Sequence, residues 1–261
     1  MTEERRPSTV DGLRAVELQY RIIREISSGQ ASFYQSQTRL NSPELGVIMP
    51  DSFREVAEIT TQCISLFDLE LLQLLEAHNK FTDRELPFKW LSVYAPAKYF
   101  ADKQCERNII EYCSKYKVPT NHICFELAAR VLTDSENEIT DMIKRLRNRG
   151  FHFMLTGFGG DTCPMMRLSA FEVDYVMLSP EVTQYVGLNE RADCAVKSII
   201  DFVSGLGAEA IADAVKSAQQ AERLFECECS YIAGSLAGKY TAEKYVRRKG
   251  DNDAENEDEF M

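Results

Sequence analysis

Two hydrophobic rhythms alternate along the chain. Apolar residues three and four apart mark helices. The spacing predicts one over 11–28, where Asp11 offers an N-cap, Leu13, Val16, Tyr20 and Ile23 share a face, and Gly29 stops the run. Further helical runs cover 50–67, 69–81, 105–116, 138–150, 191–207 and 217–226. In 138–150, Ile139, Met142, Ile143 and Leu146 fall on one side and Gly150 ends the segment. Between these lie short runs with strand character at 31–37, 89–94, 122–127, 151–155, 173–178, 208–212 and 230–234. Strands separated by helices imply a mainly parallel sheet with helical crossovers. About seven strands on one continuous chain suit a closed β/α barrel, although periodicity alone does not separate that from an open sheet.

Composition narrows the function classes. The chain has 261 residues, 44% of them hydrophobic, enough for a substantial core. Its formal net charge of −11 and pI near 4.9 oppose binding to nucleic acid or an anionic membrane. Residues 251–261 add six acids and no base, so 247–261 is expected to be a solvated acidic tail, with 11–246 the folded unit and 1–10 a flexible start. No apolar run approaches a membrane span and the first ten residues are polar, which predicts a cytoplasmic protein. The eight cysteines then read as reduced thiols, with Cys227 and Cys229 sharing a face of extended chain. His78, His122 and His152 show no metal spacing, and the last two read as solvated or capping residues.

The segment "LTGFGGDTCPMM", 155–166, sits where an α/β protein keeps its chemistry, at the end of a strand, yet offers one carboxylate, Asp161. It is no P-loop, since no Gly-Lys-Ser/Thr follows. Its "GGD" lacks the acidic and aromatic residues of a cyclase signature, Thr162 and Cys163 standing there instead.

Six blocks in order, from about residue 30 to 245, resemble EAL-type cyclic-di-GMP phosphodiesterases. "SPELGVIMPDSFREVAE" is similar to their HPExGxIxPxxFIxxAE, "WLSVYAPAKYF" to LSVNLSxxQF, and "ICFELAARVL" to LELEITESxL. "LRNRGFHFMLTGFGGDTCPMMRL" resembles the block containing DDFG, "FEVDYVMLSPEVT" the block containing KID, and "LGAEAIADAVKSAQQAERLFECECSYIAGSLAGK" the final block. The resemblance implies a TIM-like β/α barrel of the EAL type with its site at the strand C-termini. It also implies two divalent cations held by carboxylates and an amide oxygen.

Set against that pattern, many positions change. The asparagine of LSVN falls on Tyr94, the second glutamate of the third block on Ala129, and the DDFG aspartates on Thr156 and Gly157. The lysine and aspartate of KID fall on Met177 and Ser179, and later positions on Lys216 and Ala233. Glu126 is retained and Asp213 stands for a glutamate. "FYQSQTRLNSPELG" passes almost directly from one block to the next, so the Glu-Ala-Leu motif and most of its strand are expected to be shortened or lost. Gln35 matches the glutamine of YQP and Arg39 the arginine after the motif.

These substitutions predict a chain that is no enzyme, holds no metal or cofactor, and works through a regulatory protein partner. Alternatives are a non-hydrolysing receptor for cyclic-di-GMP, which Gln35, Arg39, Glu126 and Asp213 would contact weakly, or a residual phosphodiesterase. A homodimer is allowed. The gap left by a lost strand predicts an interface over residues 11–45, unless the N-terminal helix covers it.

Overall fold

The computed structural model describes residues 9–10, 13–133, 137–161 and 163–247. The expected acidic tail beyond Arg247 and most of the expected N-terminal extension lie outside them.

Eight strands close into a ring among the described residues. In chain order they are β1 (Val16–Glu25), β2 (Ala31–Ser42), β3 (Trp90–Tyr94), β4 (Ile123–Ala128), β5 (His152–Phe158), β6 (Tyr175–Leu178), β7 (Glu209–Ala212) and β8 (Tyr231–Ile232). β2 to β8 run parallel to their sequence neighbours. β1 lies antiparallel to β2 on one side and to β8 on the other, which closes the barrel. The helices are α1 (Pro50–Ile59), α2 (Gln62–Asp83), α3 (Ala97–Ala101), α4 (Cys105–Tyr116), α5 (Asn137–Asn148), α6 (Pro180–Thr183), α7 (Glu190–Gly205) and α8 (Ala218–Glu226).

Two expectations need correction here. The segment read as a helix over 11–28 is mostly β1. Val16, Leu18, Tyr20 and Ile22 repeat every second residue as readily as Val16, Tyr20 and Ile23 repeat helically. Such β-branched and aromatic content, given an adjacent edge to pair with, settles as strand. The second correction follows from it. No strand is lost, no gap opens in the wall, and β1 and β2 form a hairpin around Gly29, whose φ of 65° suits the tight return. The interface expected over 11–45 loses its motive, since that segment is paired on both sides.

Successive β1 side chains face opposite ways. Leu18 and Tyr20 join the layer between barrel and helices, while Ile23 enters the lumen. There it meets Phe33, Trp90, Cys124, Met154, Tyr175 and Tyr231. Phe33 and Trp90 stack at 3.9 Å between centroids. The lumen is therefore a packed core rather than a channel, the usual state of an eight-stranded barrel. The described cysteines are all free thiols, mostly buried. Cys227 and Cys229 are not on extended chain: Cys227 ends α8 and Glu228 turns left-handed at φ 64°. No described helix is long and apolar enough to cross a membrane.

Candidate functional site

The parallel strands bring their C-terminal ends to one mouth, and the polar side chains gather there. Arg21 and Gln35 are direct cross-strand partners on β1 and β2, one step above the Ile23–Phe33 pair of the lumen. Arg21 Nε donates to Gln35 Oε1 at 2.8 Å, and Gln35 Nε2 donates to Glu126 Oε2 at 2.8 Å. Ser92 Oγ donates to the other oxygen of Glu126. At the opposite end of this chain of bonds, Arg21 pairs with Asp213 at 2.8 Å. Three of the four sequence-predicted residues, Gln35, Glu126 and Asp213, thus join one network whose centre is Arg21.

Arg39 does not join it. It lies further along β2, directly opposite Glu17, and pairs with that carboxylate at 2.6 Å.

Burial pushes the Glu126 carboxyl above its usual range, and the hydrogen bonds from Ser92 and Gln35 and the Arg21 charge oppose that. Asp213 also accepts from the amide of Ala214, whose φ of 58° is left-handed. A non-glycine residue held there is local strain beside a site, fixed by the surrounding bonds. Met177, where the resemblance implied a lysine, puts its sulfur 3.8 Å from both Arg21 and Gln35. At the C-terminal end of β5, Thr156 donates to the Leu127 carbonyl at 3.3 Å, and Gly157 in the strand and Gly159 just after it take φ of 77° and 83°.

Above this floor lies a cleft of about 410 Å³. Gln35 and Glu126 reach it from the floor, and Arg54, Tyr94, Arg130 and Tyr240 line its wall. Arg54 stacks over the Tyr94 ring at 4.6 Å, and Arg21 over Tyr240 at 4.9 Å. Glu58 of α1 accepts from both Tyr94 and Arg130. Arg54 also passes between α1 and α2 to Glu70, which is fully buried and accepts from Thr38 as well. Burial pushes the Glu70 carboxyl up, and the Arg54 guanidinium opposes that.

The sequence reading missed Arg21, Arg54, Glu58, Arg130 and Tyr240. The odd-numbered parity of β1, which aligns Arg21 with lumen-facing Ile23, was the available signal for the first. The others meet only in three dimensions.

β2 follows one strand and leads through Arg39 into the "SPELG" block, so it is the strand to which the Glu-Ala-Leu motif belongs. It contains no acidic residue from Ala31 to Ser42. The match of Tyr34–Gln35 to the YQP strand therefore fell one strand too late, which is what made a strand look absent.

The chain matches the EAL domain family over residues 11–240. It belongs to that family. Cyclic di-GMP phosphodiesterase PdeB of Shewanella oneidensis is 27% identical over 135 residues, covering 50% of this chain and 16% of that protein. Cyclic di-GMP phosphodiesterase PdeR of Escherichia coli is 21% identical over 192 residues, covering 74% of this chain and 29% of that protein. The chain thus spans less than a third of the length of either relative. Among solved structures, the PaMucR phosphodiesterase in complex with c-di-GMP superposes with a TM-score of 0.80 at 16% identity, covering 89% of this chain and 94% of that one. The closed EAL barrel is thereby confirmed as the fold.

The expectation that the chain is no enzyme is overturned. Relatives that match most of its length are named as phosphodiesterases, and exchanged positions do not establish catalytic loss in an EAL domain of that family.

The two cations implied by the resemblance can be tested against the donors present. A magnesium pair needs several free hard oxygens close together. Here Glu126 is taken by Ser92 and Gln35, Asp213 by Arg21, and Glu58 by Tyr94 and Arg130. Three guanidiniums share the mouth, and no group of three metal-binding side chains occurs among the described residues. This donor set does not fit a magnesium pair, and no step is derived through one.

Proposed function

We propose that this EAL domain takes cyclic-di-GMP in its mouth cleft and passes occupancy to a regulatory protein. The observation that carries the reading is the Asp213–Arg21–Gln35–Glu126–Ser92 chain of bonds, which forms an ordered floor beneath an open cleft of suitable size. A cyclic dinucleotide presents phosphate oxygens, two flat purines and mixed donor and acceptor edges. Arg130 has the most exposed arginine side chain of the cleft, at 41%, while Glu58 fixes its position; it donates to a phosphate oxygen. The Tyr94 and Tyr240 rings offer faces for a base, above a floor that Gln35 and Glu126 hold fixed through their own bonds.

Calorimetry with cyclic-di-GMP on the full chain tests this. Saturable binding is expected, weakened about tenfold by Arg130→Ala through loss of a charge-assisted bond. At a hundred times Kd the ligand should stabilise the fold by about 2.7 kcal/mol. Chromatography of the same samples, with magnesium and with EDTA, reads out any linear dinucleotide and so measures turnover separately. Absence of both binding heat and thermal shift overturns the reading.

A further inference from the structure

Helix α1 is turned the wrong way round for a surface helix. Its polar Arg54 and Glu58, together with Phe53 and Ala57, face the barrel, and it buries no residue fully. Its Val56 and Ile59, a turn apart, are 64% and 75% exposed. Just before it, residues 46–48 pair back antiparallel on the end of β2, and this second hairpin adds Leu45 at 75% in its turn and Val47 at 52% on its return strand, with Met49 also exposed at the start of the helix. Large exposed hydrophobics concentrated in residues 45–59, on a hairpin tip and one helix, mark an interaction surface rather than scattered exposure.

The charge around these residues selects the occupant. Glu44, Asp51 and Glu55 are exposed, the segment's only cation, Arg54, is turned inward to Glu70, and one cation from outside it, Lys98, donates to the Ile59 carbonyl at the far end. A second copy meeting this face by a two-fold axis would set the same carboxylates against each other. The net charge of −11 adds to that repulsion. An anionic bilayer is opposed for the same reason.

We infer that residues 45–59 dock a protein helix with an apolar stripe bordered by lysine or arginine. The apolar stripe covers Leu45, Val47, Val56 and Ile59, and the basic border meets Glu44, Asp51 and Glu55. The inference does not depend on what the cleft binds.

The test uses two fluorescent helical peptides with the same leucine stripe, one bordered by lysines and one by glutamates. Anisotropy is read against the full chain at physiological salt. The lysine peptide should bind at least about tenfold more tightly than its glutamate twin, and Val56→Asp with Ile59→Asp should weaken it by at least about tenfold. That variant makes the face more acidic, so general charge attraction would strengthen binding instead. Leu45→Glu in the turn gives an independent variant with the same expected direction should the first lose its fold. The inference is overturned by no binding, by equal binding of the twins, or by variants that bind as well as the parent. It is also overturned if sedimentation finds a dimer of the parent chain that Val56→Asp with Ile59→Asp dissolves, since the occupant is then a second copy.

Discussion

The two ends of the barrel are built from the same strands and use them differently. Near the base, β1 to β4 contribute Ile23, Phe33, Trp90 and Cys124 to a lumen filled by side chains in mutual contact. A step or two further along, β1 to β4 contribute Arg21, Gln35, Ser92 and Glu126, linked through hydrogen bonds and open to a cleft. Base packing is non-directional and tolerates any well-fitted apolar residue. The mouth chain is directional, since each bond aims a particular donor at a particular acceptor and losing one member strands the next. Stability should therefore concentrate at the base and ligand recognition at the mouth, as the barrel architecture generally arranges.

Phe33→Ala should break the base and spare the mouth. Phe33 is fully buried, stacked on Trp90 and edge-on to Tyr175. Truncating such a ring costs about 3–5 kcal/mol in transfer and cavity terms. Denaturant unfolding should show that loss, while the folded fraction binds cyclic-di-GMP with unchanged Kd. A large change in Kd would show that the two ends are not separable.

Arg21→Ala is the converse and smaller in stability. It leaves buried Gln35 Oε1 without its donor and half-buried Asp213 with only the Ala214 amide, a loss of about 1–3 kcal/mol. Its effect on cyclic-di-GMP binding should exceed that of Arg130→Ala, because the whole floor loses its centre. Unfolding at several denaturant concentrations and calorimetry on one preparation separate the two effects. Binding unchanged alongside lost stability would make Arg21 a structural residue of the barrel wall.

How much of this was readable beforehand differs by end. The seven strands from β2 to β8 and the helices α4, α5, α7 and α8 followed from periodicity, because each long amphipathic run has a single consistent period. β1 did not, because its apolar residues satisfy a two-residue and a helical repeat together, and only pairing with β2 decides. That one misreading propagated: without β1 the hairpin vanished, β2 was taken for the strand before it, and Arg21 had no site to belong to. Glu126 and Asp213 were found because their blocks carry several fixed residues each. Arg54 and Arg130 stand 76 residues apart and meet around Tyr94 only through the packing of α1 on the mouth, which no local pattern encodes.

The smallest expected effect belongs to the outside of the base, where His122, expected as a solvated or capping residue, is bonded to His78. His78 Nε2 lies 2.9 Å from His122 Nδ1, and His78 Nδ1 lies 3.1 Å from Asn79 Oδ1. Phe88 sits edge-on to both rings, and His152, 3.9 Å from Asp174, adds its charge toward His122 when protonated. One ring must donate and the other accept, so the bond needs at least one neutral imidazole. Burial lowers both from their ordinary value of 6.5, for His78 against a raising bond to Asn79. A histidine with a lowered folded pKa binds fewer protons folded than unfolded, so stability is full above about pH 6.5 and falls as pH drops through that value. Glu126 and Glu70 act with the opposite sign: their raised folded pKa makes the fold gain stability as pH falls toward the ordinary carboxylate value of 4.5. The parent curve alone therefore mixes two trends. His122→Asn removes one titrating partner and leaves the carboxyls in place, so its difference from the parent isolates the pair. Between pH 7.5 and 5.5 the parent's thermal midpoint should fall more than that of the variant. Parallel curves would mean that the bonded pair carries no proton linkage and that the base, like its lumen, is held by packing alone.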